Sequence, residues 1–292
     1  MRHDSDFAFH SIINEGFVPS DSSLSWDPLF AARSPLFEPL RTMASRLSPS
    51  RRPSREELTQ LAGSCEQVVN ASGQAIKFYA PTSSDRSAAD YERRIAAEGA
   101  VEHRDESWHD LLNALVWMTY PRTKAVLNRR HVTEMARESD GRRSRARDAL
   151  TQFDEDGLVV VSEREELLGL LRGFHWHELF WNRRNDVQSA MRWFVFGHAQ
   201  YEKALQPFVG MTAKAVTICV APGFCSKPYS QQLEDVDRLT AQLISSREAL
   251  SAPEALAPVP VLGVPGWSAQ SAHESFYEDH TYFRSGRRCT IA

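Results

Sequence analysis

Apolar side chains recur at helical spacing from position 107 onward, and they predict the clearest element of the chain. These side chains would all lie on one face of a helix, and that face would be buried. They are Trp108, Leu111, Leu112, Leu115 and Val116. Pro121 fits only the first turn of a helix, so it ends this helix and begins the next one, over 122–138. The pattern therefore predicts a helical hairpin.

Shorter patterns predict further helices on both sides of this hairpin. Ser54 followed by Glu56 and Glu57 has the composition of a helix start, and Gly99 ends a second short helix. Three later segments have helical patterns as well, at 164–185, 198–206 and 230–250.

Continuous apolar runs bounded by turn residues predict strands. Asp156 and Gly157 precede four apolar residues, which predicts a turn into a strand over 158–161 and a β-hairpin with 149–153. Further strand candidates occupy 191–197, 213–224 and 258–267. Because helices and strands do not alternate regularly, we expect an α+β fold with the helical hairpin packed on a small mixed or antiparallel sheet.

The two ends of the chain differ in composition. We expect residues 1–24 to form a loose N-terminal segment and 25–292 to form a single α+β domain. Apolar side chains would attach the start of this domain to its body: Trp26, Leu29, Phe30, Leu36, Phe37 and Leu40. Disordered tails avoid aromatic residues, so we expect an ordered C-terminal tail that carries Trp267, Phe276, Tyr277, Tyr282 and Phe283.

Composition narrows the class of protein. The 292 residues are 42% hydrophobic and 25% charged, with a net charge of −4, values typical of a globular protein without a general attraction to nucleic acid or an anionic membrane. No apolar run reaches the roughly 20 residues that span a bilayer. Four scattered cysteines, without a CxxC pair, indicate free thiols and a cytoplasmic location: Cys65, Cys219, Cys225 and Cys289.

A His-Asp pair stands at the start of the apolar helix. Ser107 and Asp110 have the spacing of a capping box, in which Asp110 reaches back to the Ser107 amide. This cap accounts for Asp110 but leaves His109 unexplained. His109 shares a helix face with Asn113 and Trp117, so it can line a cleft or contact another element.

A second candidate pair lies in the predicted helix at 198–206. His198 and Glu202 are one turn apart, so both can bind one metal ion, or Glu202 can orient His198 as a base. The alternative is that His198 caps its helix while Glu202 forms an ordinary ion pair. His175 and His177 would share a metal ion on a strand, but their helical surroundings argue against that.

A third candidate lies among the acids that precede Gly157. If the predicted strand continued through Asp154 and Glu155, their side chains would point to opposite faces, so only one could enter a site. We favour Asp154. A solvated turn is the alternative interpretation, since Asp156 followed by Gly157 is typical of turns.

Four stretches of the sequence together resemble a known family. They are WHDLLNALVWMTYPRTKAVLN, RDALTQFDEDG, FGHAQYEKALQPF and PVLGVPGW followed by FYEDHTYFR. They are similar to the blocks of a bacterial domain-of-unknown-function family, numbered three thousand and twenty-five, over about Trp26 to Arg288. The resemblance implies a single-domain cytoplasmic protein without an established activity. The family pattern corresponds in this chain to His109, Asp110, Asn113, Lys124, Asn128, Asp148, Asp154, Glu155, His198 and Glu202.

Two functional hypotheses follow from these residues. The first is a hydrolase or a metal-assisted acid/base enzyme, with a divalent metal held by His109, His198 and Glu202 and with Asp110 or Asp154 in the same cleft. The second is a non-catalytic module that binds a small ligand or a protein, its polar residues acting as helix caps and buried hydrogen bonds. A third option, nucleic-acid contact through the arginine-rich segments 45–55 and 141–147, is disfavoured because they lack interleaved aromatic residues.

Overall fold

The computed structural model describes residues 24–65, 67–81, 87–138 and 142–286. The helices of this part are α1 Arg41–Ala44, α2 Arg55–Gly63, α3 Ala88–Glu98, α4 Trp108–Thr119, α5 Pro121–Met135, α6 Arg145–Asp156, α7 Glu165–Arg172, α8 Arg184–Ala190, α9 His198–Ala204 and α10 Tyr229–Ser245. The strands are β1 Lys77–Tyr79, β2 Ala100–Glu102, β3 Gly157–Ser162, β4 Met191–Val195, β5 Thr212–Cys219 and β6 Ala257–Pro260.

Four strands form the central sheet in the order β4, β3, β5, β6. β3 pairs in parallel with β5 and antiparallel with β4, and β6 is antiparallel to β5. Every residue of β3 is buried, as its continuous apolar run requires for a central strand covered on both faces. β1 and β2 form a separate parallel pair. The fold is α+β with a mixed sheet, as the pattern predicts.

The helical hairpin is formed by α4 and α5, which meet at Tyr120. Pro121 occupies the first turn of α5, as predicted. The Tyr120 hydroxyl donates to the Val195 carbonyl at the end of β4 over 2.8 Å, which fixes the bend of the hairpin to the edge of the sheet. A complete capping box at Ser54 confirms the predicted start of α2, and a left-handed Gly99 confirms the predicted end of α3.

The predicted β-hairpin between 149–153 and β3 is wrong. Residues 145–156 form α6, which continues directly into β3, because Ala149, Leu150 and Phe153 are buried at helical spacing. Gly157 is the junction of helix and strand. A Cβ atom at Gly157 would lie 2.2 Å from the Phe153 carbonyl oxygen, so this close approach requires glycine.

Three other predicted elements are shorter in the structure. The helix over 164–185 is interrupted after α7, where Phe174 has a φ of 59°, and resumes in a π-helical turn at Glu178–Asn182 and in α8. The strand over 213–224 ends with β5 at Cys219, and β6 covers only the first part of 258–267.

Both ends of the described chain pack on a common hydrophobic core. Residues 1–23 lie outside the described residues, so the loose segment and the domain boundary after residue 24 stay predictions. Leu29 is 67% exposed, which makes its predicted attachment wrong. The other predicted anchors are buried or pack against the core: Trp26, Phe30, Leu36, Phe37, Leu40, Trp267, Phe276, Tyr277, Tyr282 and Phe283.

The predicted free thiols are found where the structure describes them. Cys65, Cys219 and Cys225 are unpaired, and Cys289 lies outside the described residues. None of the helices in the described ranges combines the length and apolar character that crossing a bilayer demands.

Candidate functional site

His109 and His198 come together from helices that are distant in the sequence. His109 lies in the first turn of α4, and His198 is the first residue of α9. Their Nε2 atoms are 2.9 Å apart, and the two ring planes cross at 77°. The two histidines that the sequence singled out therefore belong to one cluster.

Glycine at position 197 brings the start of α9 against the end of α6. A Cβ atom on Gly197 would lie only 2.3 Å from both the Glu155 carbonyl oxygen and the Gly157 amide nitrogen, so any larger residue would separate the two helices. As a result Glu155 joins the cluster, with its Oε2 atom 3.4 Å from His198 Nε2.

Glu202 also reaches the cluster, but through His109. Its Oε2 atom is 2.9 Å from His109 Nδ1. Because a carboxylate only accepts hydrogen bonds, Nδ1 of His109 carries a proton and Nε2 is directed at His198. The one-turn spacing of His198 and Glu202 thus supplies two groups that contact the same imidazole.

Asp154 lies behind the cluster in a buried polar network. Its Oδ1 atom accepts from Lys124 Nζ over 2.6 Å, and both side chains are at least four-fifths buried. Lys124 also donates to Asn113 Oδ1 over 3.0 Å, and Asn113 donates to the Tyr91 hydroxyl over 3.1 Å. This chain of contacts ties α3, α4, α5 and α6 together behind the histidines.

Asp110 holds the start of α4. The Ser107 hydroxyl accepts from the Asp110 amide, as the predicted cap requires. The Asp110 carboxylate accepts three hydrogen bonds from Arg104, one from its amide and two from its guanidinium, at 2.7–2.8 Å. The predicted contact of Asp110 with the Ser107 amide is wrong, because this amide donates to the Arg104 carbonyl instead. The cap at the helix start therefore includes Arg104, which the sequence did not indicate.

A cavity of about 260 Å³, which we call the polar cavity, opens beside the cluster. Its wall contains five acidic residues and three arginines. The titratable residues of its wall are Tyr91, Glu92, Glu102, Arg104, His109, Asp110, His131, Arg143, Arg147, Asp154, Glu155 and His198.

The histidines of the cluster differ in pKa because their surroundings differ. Burial lowers the pKa of His198 to about 3, so its ring is neutral at physiological pH. Burial also acts to lower the pKa of His109, but the hydrogen bond to Glu202 and the charge of Glu155 outweigh it and raise the pKa.

The carboxyl groups of the cavity also differ in pKa. Burial and the nearby Asp154 charge raise the pKa of Glu155. Burial would raise the pKa of Asp154 as well, yet the Lys124 ammonium lowers it below its usual range. Burial and the charge of Asp154 raise the pKa of Glu92, which also lines the cavity, to about 7.

Three atoms of the cluster have the arrangement of metal ligands. His109, Glu155 and His198 each offer one ligand atom, and these three atoms all lie within 4.8 Å of one another. By contrast, His177 contacts Glu274 at 3.1 Å on the surface, and His175 is not part of that contact.

Sequence reasoning missed several residues of this site. Glu155 was passed over for Asp154 only because 149–153 was interpreted as a strand; both acids lie in the last turn of α6, about 100° apart, and both line the cavity. The apolar spacing of α6 was the signal that could have corrected this. No pattern around Glu92, His131 or Arg147 indicates a site.

A family model described as Protein of unknown function (DUF3025) matches residues 76–287. The chain belongs to this family. The match confirms the resemblance noted in the sequence and includes all residues of the cluster, although it begins later than Trp26. No curated protein and no solved structure matches the chain. Membership of DUF3025 therefore supplies no reaction, and the function has to be argued from the site.

Proposed function

We propose that this protein is a metal-dependent hydrolase of small molecules, with one divalent cation bound by His109 Nε2, His198 Nε2 and a carboxylate oxygen of Glu155. The observation that carries the proposal is that the three ligand atoms lie within 4.8 Å of one another at the wall of the polar cavity. Two imidazoles and one carboxylate form a common ligand set of catalytic zinc sites, which leave one position for water or substrate.

Two of the three distances between ligand atoms are close to those of such a site. Two nitrogen ligands of a tetrahedral zinc ion lie about 3.3 Å apart when each bond is about 2.0–2.1 Å long. His109 Nε2 and His198 Nε2 are 2.9 Å apart, and His198 Nε2 is 3.4 Å from Glu155 Oε2. A separation of the two rings by about 0.4 Å, within reach of small side-chain rotations, would admit the ion.

Glu202 has the position of a supporting residue in this proposal. Metal-bound histidines usually donate their second ring N–H to a carboxylate, which fixes the ring and its tautomer. Glu202 accepts from His109 Nδ1 over 2.9 Å. We therefore assign Glu155 as the third ligand, and Glu202, which the sequence suggested as a ligand, as the residue that orients His109.

The remaining residues have roles in shape and proton transfer. Asp110 fixes the start of α4 through Arg104, and Asp154 with Lys124 forms a rigid base behind the ligands. A bound cation would lower the pKa of a water molecule and polarise a carbonyl or phosphoryl oxygen. Glu92, with a pKa of about 7, can deliver the proton that the leaving group needs when water breaks the bond.

Metal content tests the proposal directly. The full-length protein, stripped by chelation and reloaded with Zn²⁺ or Mn²⁺, is expected to retain about one ion per chain after gel filtration. His198→Ala and Glu155→Ala should lose that ion, because each leaves only two protein ligands. His177→Ala is the matched control, since His177 is a surface histidine that also pairs with a glutamate, and its metal content should be unchanged.

The contrary result would be a folded wild-type protein without bound metal, or a His198→Ala variant that keeps its ion. Hydrolysis of activated test esters, p-nitrophenyl acetate and p-nitrophenyl phosphate, gives a second readout, which should fall at least about 100-fold in Glu155→Ala.

A non-catalytic binding module is the second candidate function. It is favoured by the fact that three acids of the region already have partners: Asp110 with Arg104, Asp154 with Lys124 and Glu202 with His109. Under this alternative the polar cavity binds a small ligand, and the histidines form a hydrogen-bonded pair. A metal-free wild-type protein that keeps its fold in His198→Ala would favour it.

We further propose that the protein acts on a small molecule in the cytoplasm. The unpaired thiols of Cys65, Cys219 and Cys225 suit a reducing compartment. Nucleic acid is a poor fit, because exposed arginines of both basic segments have acidic partners, Arg51 with Glu57 and Arg143 with Asp148, and Arg147 is only 7% exposed.

A further inference from the structure

Granting the metal centre proposed above, we infer that the substrate carries a small oxyanion, a carboxylate or a phosphate, which binds to Arg147 at the end of the polar cavity remote from the metal. The cavity would then hold its substrate at two points. The anionic group anchors the molecule, and the bond to be hydrolysed lies at His109, His198 and Glu155.

One face of α6 forms a wall of the polar cavity and changes character along its length. Arg147, Thr151 and Glu155 line the cavity at intervals of four residues, so they share one side of the helix. The arginine is near the first turn and the glutamate is in the last turn. Eight residues of α-helix rise about 12 Å, which separates a basic end from the metal-ligand end.

Arg147 is a buried cation with an unused donor. The residue is only 7% exposed, and its Nη1 atom pairs with Glu138 Oε2 at 2.9 Å. Its Nε–H has no acceptor among the residues that the structure describes. A guanidinium held by one carboxylate and left with a free N–H is suited to receive an oxyanion, since arginine forms paired hydrogen bonds with carboxylates and phosphates.

Two neighbours extend the basic end. Arg143 lines the cavity and folds back on α6, with Nε 2.9 Å from Asp148 Oδ1 and Nη2 3.3 Å from the Arg147 carbonyl. His131 also lines the cavity, is 3% exposed, and its Nδ1 atom has no partner in the described ranges. Leaving such groups buried without partners is costly, and a bound oxyanion would satisfy them.

The size of the cavity limits the substrate. About 260 Å³ is smaller than the roughly 300–1,000 Å³ of sites for drug-sized ligands. The space suits a short molecule with its anionic group at one end and the scissile group at the other. The separation between Arg147 and Glu155 determines the length of a substrate that can contact both the arginine and the metal.

A series of unbranched α,ω-dicarboxylates from three to eight carbons tests the inference. Calorimetric titration of the Zn²⁺-loaded full chain measures each one against the monocarboxylate of equal length. We expect one chain length to bind at least about tenfold more tightly than its monocarboxylate, because one carboxylate contacts the metal and the other contacts Arg147.

Variants of α6 decide whether Arg147 is responsible. Arg147→Lys keeps the charge beside Glu138 but loses the Nε donor, so the dicarboxylate preference should fall below about threefold. Arg143→Met, at the exposed rim, should weaken it as well and does not disturb a buried ion pair. Arg145→Met is the matched control, because Arg145 is largely exposed and pairs with Glu254, and it should keep the full preference.

The possible outcomes separate this inference from the proposed function. A metal-loaded wild type without a length preference, or a preference unchanged in Arg147→Lys and Arg143→Met, overturns the inference while leaving the metal site intact. If the protein binds no metal, the proposed function is wrong, and the metal-free protein is then titrated with propionate and with inorganic phosphate. Anion binding that is weakened in Arg147→Lys supports Arg147 as the anionic anchor, and absence of anion binding overturns it.

Discussion

Two regions of the protein bury residues that the sequence marks as unusual, namely the polar cavity beside α6 and the C-terminal segment 264–286. The cavity is lined by ionisable side chains from α3, α4, α5, α6 and α9. The C-terminal segment packs through aromatic rings, with Phe276, Tyr277, Tyr282 and Phe283 in mutual contact at centroid distances of 4.9–6.0 Å.

The difference shows how each kind of side chain is stabilised in the interior. Aromatic rings are stabilised by burying apolar surface and by contact with other rings, so rings that are neighbours in the sequence can pack against each other. Ionisable groups need partners of opposite charge or complementary hydrogen bonds, and the partners of Lys124 and His109 come from positions 30 and 93 residues away. The cavity therefore depends on the whole fold, and the aromatic segment depends mainly on itself and the surface beneath it.

The largest expected loss of stability follows from removing a buried charge behind the polar cavity. Lys124→Met is expected to lower the free energy of unfolding by about 3–5 kcal/mol, since it leaves Asp154 buried without its cation. Urea unfolding measures the change. The two side chains are only 4% and 16% exposed.

Lys203→Met is the control for Lys124→Met. Lys203 and Asp156 are also 2.6 Å apart, but their side chains are 33% and 27% exposed, so the loss should stay below about 1 kcal/mol. Equal effects of the two substitutions would contradict the view that burial determines the importance of the inner pair.

The pH dependence of stability should identify Glu92 as part of the cavity. Its folded pKa, about 7, exceeds the ordinary value of 4.5, so between these values the folded state binds more protons than the unfolded state. The contribution to stability is full below pH 4.5 and is lost as the pH rises through 7. Between about pH 5 and 8, the free energy of unfolding of the metal-free wild type should fall by about 2 kcal/mol relative to that of Glu92→Gln. A parallel pair of stability profiles would refute this assignment.

The smallest expected effect concerns a buried polar anchor of the aromatic segment, the Tyr282 hydroxyl. Its hydroxyl donates to the Met211 carbonyl over 2.8 Å and accepts from the Leu262 amide over 2.9 Å. Tyr282→Phe should cost about 1–2 kcal/mol in thermal or urea unfolding, because both backbone groups lose a buried partner. Metal content should be unchanged.

Tyr229→Phe provides the matched control for Tyr282→Phe. The Tyr229 hydroxyl is buried without a hydrogen-bond partner among the described residues, so its removal should cost almost nothing or stabilise the protein slightly. A loss as large as that of Tyr282→Phe would mean that ring packing, and not the hydroxyl contacts, fixes the segment.

Local signals predicted much of the fold. Pro121 at a helix start, Gly99 at a helix end and the apolar run of β3 each have a meaning that does not depend on distant residues. The failures occurred where a local signal was ambiguous. Asp156 and Gly157 look like a hairpin turn, and this signal hid the helical spacing of Ala149, Leu150 and Phe153. In the structure Phe153 packs against Phe196, with stacked rings 4.7 Å apart.

The same limit applied to the site. The sequence suggested His109, His198 and Glu202 as one group, and they meet. It weighed Glu155 against Asp154 without placing it beside the imidazoles, and it offered no reason to add Glu92, because their approach depends on how α6 crosses α9 and how α3 lies against α5. Gly197 is the clearest case, since its importance is visible only when the end of α6 is seen 2.3 Å from its missing Cβ.

The sequence by itself determined the helical hairpin, the four strands of the central sheet, the buried aromatic tail and two histidines with a glutamate as candidates, because helical and strand periodicity, proline geometry and side-chain chemistry act within a few residues. Only the tertiary structure decided which carboxylate stands beside the imidazoles, which acid is neutralised by Lys124 and that Arg147 lies at the far end of the same cavity. Electrostatic and hydrogen-bond partners are chosen by distance in space, and the order of residues along the chain does not encode that distance.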